Sequence, residues 1–72
     1  MTAKEMFRDI GYKLTEDKNI CYDGCILYRR NYEQEICFNK EYKCITISQH
    51  ISILEFKAIQ KQIEELGWLD VR

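Results

Sequence analysis

The chain has 72 residues, 32% charged, 46% apolar and 12% aromatic, with no proline, proportions that fit one folded domain over 1–72 rather than a disordered chain. Eleven basic residues against twelve acidic ones leave a net charge of -1, which makes nucleic acid an unpromising partner because its binders carry a marked basic excess. No run approaches the ~18 apolar residues of a membrane span, and Met1-Thr2-Ala3-Lys4-Glu5 lacks the charged-then-apolar layout of a signal peptide, so the expectation is a cytoplasmic protein with no membrane partner.

Thr2-Ala3-Lys4-Glu5 has the Thr-x-x-Glu form of a capping box, in which hydroxyl and carboxylate each take an orphan amide. Ala3, Phe7 and Ile10, with Met6 beside them, share one helical face, and Gly11 supplies a left-handed stop. The pattern predicts a helix over about 3–10, with Tyr12 folded back on Phe7. Asn19-Ile20-Cys21-Tyr22 is a candidate strand, and Asp23-Gly24 reads equally as a two-residue turn or as a bulge in one long strand.

The period then changes to two. Residues 25–30, 35–39 and 42–48 read as strands, joined by Asn31 to Gln34 and by a tight Lys40-Glu41 turn. That turn would set Cys37 opposite Cys44 and Ile36 opposite Ile45. Ile36, Phe38, Ile45 and Ile47 would face the helices, and Cys37, Tyr42, Cys44 and Thr46 the other way. Ser52-Ile53-Leu54-Glu55 is a second capping box, with Ile51 and Phe56 placed as a hydrophobic staple. Phe56, Ile59, Ile63 and Leu66 make a buried stripe, Lys57, Gln60, Lys61, Glu64 and Glu65 the wet side, and Gly67 the stop, with Trp68 packing on Ile63. The fold class is α+β: a short N-terminal helix, an antiparallel meander of three to four strands and a C-terminal helix, both helices on one face of the sheet.

Cys21 and Cys25 are spaced Cys-x3-Cys, and Cys37 and Cys44 are spaced Cys-x6-Cys, without the tight Cys-x2-Cys pairs usual at zinc. Reduced structural thiols are therefore expected, with no metal and no cofactor. His50, the single histidine, has no Gly-rich oxyanion loop or orienting third residue recognisable around it, so an enzyme is not expected. Arg29, Arg30, Lys40 and Lys43 make a candidate basic patch beside Tyr28 and Tyr42, diluted by Glu33, Glu35 and Glu41. Tyr22, Cys37, Tyr42, Cys44 and Thr46 make a candidate partner-binding face, since aromatic groups on a rigid sheet are effective anchors. Its alternatives are a homodimer through the same face and ordinary wet sheet.

The stretch Leu54-Glu55-Phe56-Lys57-Ala58-Ile59-Gln60-Lys61-Gln62-Ile63-Glu64-Glu65-Leu66-Gly67-Trp68 resembles the C-terminal helix of small uncharacterised proteins of Gram-positive phages and prophages. Those proteins also begin with a short helix ending in Gly-Tyr and continue through a strand meander. The matching residues are core and cap positions, and the cysteines lie outside the pattern. The resemblance implies a phage or mobile-element origin and a bacterial host cell, without fixing an activity. The functional expectation is a non-enzymatic protein-binding module, with inhibition of a host defence system as its concrete form. The alternatives are a small nucleic-acid-associated accessory factor and a structural homodimer.

Overall fold

A computed structural model describes residues 1–15, 24–48 and 50–69. In chain order its elements are α1 (Ala3–Asp9), β1 (Lys13–Thr15), β2 (Cys25–Asn31), β3 (Gln34–Asn39), β4 (Cys44–Ile47) and α2 (Ile53–Leu66). The four strands form one antiparallel sheet in sequential order. The fold is α+β, with an N-terminal and a C-terminal helix, as the patterning implies.

Both capping boxes are formed. The Glu5 amide donates to Thr2 Oγ1 at 3.2 Å while the Thr2 amide donates to Glu5 Oε1 at 2.9 Å. Ser52 and Glu55 exchange the equivalent pair, each at 3.2 Å. The helix ends match as well. The Tyr12 and Trp68 amides reach back five residues to the Phe7 and Ile63 carbonyls, across Gly11 and Gly67 in the left-handed region. The resemblance between the two ends is thus shared capping chemistry.

The helices run antiparallel. The Ala3 amide donates to Glu65 Oε2 at 2.8 Å, tying the start of α1 to the end of α2. At the other end the Tyr12 hydroxyl donates to Glu55 Oε2 at 2.7 Å. Both helices pack on one sheet face, where Phe7, Tyr12, Tyr28, Ile36, Phe38, Ala58 and Ile59 form the core. Phe7 lies at its centre, stacked on Tyr28 with centroids 4.0 Å apart and edge-on to Tyr12 and Phe38. Such ring geometries add to plain area burial.

Two details of the sheet differ from the sequence reading. The fourth strand is β1, immediately after α1, pairing Leu14 with Tyr28. The candidate strand at 19–22 lies outside the described residues. So does Asp23, leaving Gly24 at φ +91° ahead of β2. The β2–β3 turn is only Tyr32-Glu33, and a register shift at Arg30 puts one extra residue into β2.

The β3–β4 connection is longer than Lys40-Glu41. Asn39 pairs with Cys44 across a loop of residues 40–43, so Cys37 faces Thr46 and Ile36 faces Ile47, not Cys44 and Ile45. The cause is local: Asn39 Oδ1 accepts the Glu41 and Tyr42 amides at 3.0 Å each, and Lys43 takes φ +53°. The slip is two residues in β4, so every side chain keeps its face.

The buried face of α2 is also rotated. Glu55, Ala58, Ile59 and Gln62 are buried, whereas Phe56, expected in the stripe, is 51% exposed. The reason is polar. The hydroxyls of Tyr12 and Tyr28 are buried and must have partners, and Glu55 and Gln62 supply them.

Candidate functional site

The outer sheet face is the first surface to consider. Register places Cys37, Cys44 and Thr46 together on it, with Cys25 and Leu27 from β2. Leu27 is buried, at 6% exposure, and Cys25 and Cys37 are half-buried, leaving Cys44 and Thr46 as the exposed part. Tyr42 is 73% exposed but belongs to the 40–43 loop rather than a strand. Tyr22 lies outside the described residues. The expected face is therefore assembled in part, and its described strand residues are small.

Cys25 and Cys44 flank Asn39 on neighbouring strands, which separates them by two strand spacings, about 9–10 Å. Neither Cys25, Cys37 nor Cys44 is in a disulfide. Among the described residues no group of three His, Cys, Asp or Glu side chains is arranged to hold a metal ion. His50 is exposed, two residues before the cap of α2.

The four basic residues do not converge. Arg29 and Arg30 sit near the turn-side end of β2, while Lys40 and Lys43 lie in the loop beyond the other end of the sheet. Arg29 lies four positions along β2 from Cys25, about 13 Å. Arg29 is also engaged, its Nη2 and Nε donating to Glu35 Oε2 at 2.8 and 3.2 Å. Arg30 turns inward at the bulge. Its guanidinium lies 5.2 Å from the centre of the Tyr12 ring and donates to the Ile10 carbonyl at 3.2 Å and to Gln34 Oε1 at 2.7 Å.

That position gives Arg30 a structural task. Burial acts to raise the Glu55 carboxyl, but hydrogen bonds from Tyr12 and Ser52, with Arg30 nearby, outweigh it and hold the group below the usual carboxylate range. Burial, reinforced by the Glu65 charge, pushes the Tyr28 phenol up to about 12. These perturbed groups tie the helices to each other and to the sheet; none faces an open cleft with a nucleophile.

The residues that sequence reasoning missed lie on the helices. Met1, Met6 and Ile10 meet Leu54 across a shallow groove of about 180 Å³ between α1 and α2, with Asp9 and Lys57 also lining it. Met1 is 74% exposed and Leu54 60%, and Ile53 beside it is exposed too. Phe56 lies on the opposite flank of α2, two residues and thus ~200° around from Leu54. A sequence signal existed. Ile53, Leu54 and Phe56 fall within four residues of one helix, more apolar surface than one packed face accepts.

No helix among the described residues is long and apolar enough to cross a membrane. Compared with models of protein families, with curated proteins and with solved structures, the chain matches none.

Proposed function

We propose that this is a non-enzymatic protein-binding module of phage or prophage origin that acts in the bacterial cytoplasm by occupying a partner protein, a host defence enzyme being the concrete case. The observation that carries the binding reading is the α1–α2 groove, where Met1 and Leu54 stand largely in water at the rim of an apolar surface. Exposed apolar surface of this kind marks interaction sites, and methionine side chains adapt to a partner's shape. Asp9 and Lys57 would add orientation more than affinity. The phage origin and the inhibitory role rest on the resemblance of the C-terminal helix alone.

The test is capture from host lysate with wild-type protein, Leu54→Glu and Thr46→Glu, followed by reconstitution with each recovered protein. The reading expects a purified one-to-one complex that Leu54→Glu abolishes and Thr46→Glu leaves intact. Loss with Thr46→Glu alone would move the interface to the outer sheet face. Sedimentation of the isolated chain as a Leu54-dependent dimer would replace partner binding with self-association.

A further inference from the structure

On the far side of α1 from α2 lies a second, larger concavity of about 500 Å³, lined by Lys4, Glu5, Arg8, Tyr12, Lys13 and Leu14. We propose that it binds an acidic peptide segment, recognised by Lys4, Arg8 and Lys13 above a floor of Leu14. This goes beyond the α1–α2 groove, with which it shares no residue. Its volume is within the ~300–1,000 Å³ typical of ligand sites.

The positive charge lining this groove has little to neutralise it among the described residues. Among the described residues neither Lys4 nor Lys13 forms an ion pair, and Arg8 reaches only its exposed neighbour Asp9, at 3.7 Å. Glu5, the one acid among the described lining residues, is committed to its capping box. Its carboxylate accepts from the Thr2 amide and hydroxyl at 2.9 and 3.0 Å, and these bonds hold it below the usual carboxylate range. Lys13 faces Arg29 across the β1–β2 pair, but Arg29 is already bonded to Glu35.

Spacing favours a peptide. Lys4 and Arg8 stand one turn apart on α1, ~6 Å along its axis. Alternate side chains of an extended chain are ~6.8 Å apart, so carboxylates at i and i+2 would meet both cations while the intervening backbone crosses toward Lys13. An apolar residue next to the acids would lie on Leu14. Nucleic acid fits less well, because it needs cations tracking a backbone and open aromatic faces. The lining tyrosine, Tyr12, is buried at 1% exposure, and the exposed Tyr32 and Tyr42 belong to the turns.

Fluorescence anisotropy with a labelled peptide of alternating Glu and Leu tests this. The expected result is saturable binding to the full chain, weakened severalfold between ~0.1 M and ~1 M salt as the screening length falls from ~10 to ~3 Å. Lys4→Glu and Lys13→Glu should each weaken it about fivefold, as expected for losing one exposed ion pair and adding a repulsion. Lys40→Glu, an equal charge change at the far loop, should have less than a twofold effect. Amide NMR shifts on peptide addition should cluster on residues 4–14. Circular dichroism checks each variant's fold, and Lys4→Gln and Lys13→Gln provide milder substitutes with the same expected order. Equal losses from Lys40→Glu and Lys13→Glu, absence of saturation, or tighter binding of an oligothymidine than of the peptide would each overturn the assignment.

Discussion

Tyr12→Phe deletes one oxygen, and Phe56→Ala deletes most of a side chain, yet the smaller change should cost more. The Tyr12 hydroxyl donates at 2.7 Å to Glu55 in a buried pair, and a hydrogen bond to a charged group contributes about 1.5–3 kcal/mol. Glu55 keeps its Ser52 partner, so the lower half of that range applies if the carboxylate rotates toward the cap. Phe56 is 51% exposed. Half of the ~1.5–3 kcal/mol for burying such a side chain, less ~0.5 kcal/mol gained from alanine's helix propensity, leaves about 1 kcal/mol or below. A domain of this size commonly holds ~3–5 kcal/mol in total. With a urea m-value of ~1 kcal/mol/M, Tyr12→Phe should lower the midpoint by about 1.5–3 M and Phe56→Ala by about 1 M or less. A cycle with Glu55→Gln should show coupling above ~0.5 kcal/mol for the Tyr12 pair. If Phe56→Ala proves the more damaging, the rotated face of α2 is wrong and the simple apolar stripe is right.

Gly67→Val should destabilise by at least ~1–2 kcal/mol in thermal or urea melts, because Gly67 has φ +75° and a left-handed β-branched residue is strained even in the open space around it. Glu55 titrates lower when folded, so the stability it adds is present above its unfolded value of ~4.3 and is lost as pH falls through the folded one; Glu55→Gln should flatten the acid limb of a stability-versus-pH curve. Tyr28 shifts the opposite way, giving stability that is complete below ~10, its unfolded value, and lost as pH rises toward about 12; the alkaline limb should shrink in Tyr28→Phe. Cys37 and Cys44 are diagonal rather than opposed, ~7–8 Å apart and too far for an unstrained bridge. Mild oxidation followed by peptide mapping should therefore modify exposed Cys44 before the half-buried Cys25 and Cys37, and rapid formation of an internal Cys37–Cys44 bond would refute the register.

What could be read from the sequence is what is decided within a turn or two of chain. Thr2 with Glu5, Ser52 with Glu55, and the Gly11 and Gly67 stops all act over three to five residues, and all four form. The alternation through Ile36 and Phe38 likewise placed the inner sheet face correctly, since both are fully buried. Longer-range features were not readable. β1 has one apolar residue in three, Leu14, and exists through its pairing with β2. Arg29 and Arg30 look like one patch in sequence, but the pleat and the bulge send one to Glu35 and the other to Tyr12. The β3–β4 loop depended on an asparagine side chain accepting two amides, a choice the spacing of Lys40 and Glu41 does not reveal.

The buried polar ties also account for the exposed helix surface. A tyrosine pair is useful in so small a core because its rings fill space, but each hydroxyl must be matched at a fixed point on α2. Glu55 and Gln62 lie two turns apart on one face of that helix, and satisfying Tyr12 and Tyr28 at once fixes the rotation of α2 about its axis. With Glu55 turned inward, its neighbours Leu54 and Phe56 fall on the two flanks, ~100° to either side. A helix oriented by apolar contacts alone would bury Phe56 and leave Glu55 in water. The hydrogen bonds therefore do two things: they specify the packing of the helices, and they leave Leu54 at the edge of α1, where it completes the groove with Met6 and Ile10. Replacing both polar pairs with apolar residues of similar size should thus allow α2 to turn, cover Phe56, and weaken any complex that depends on Leu54.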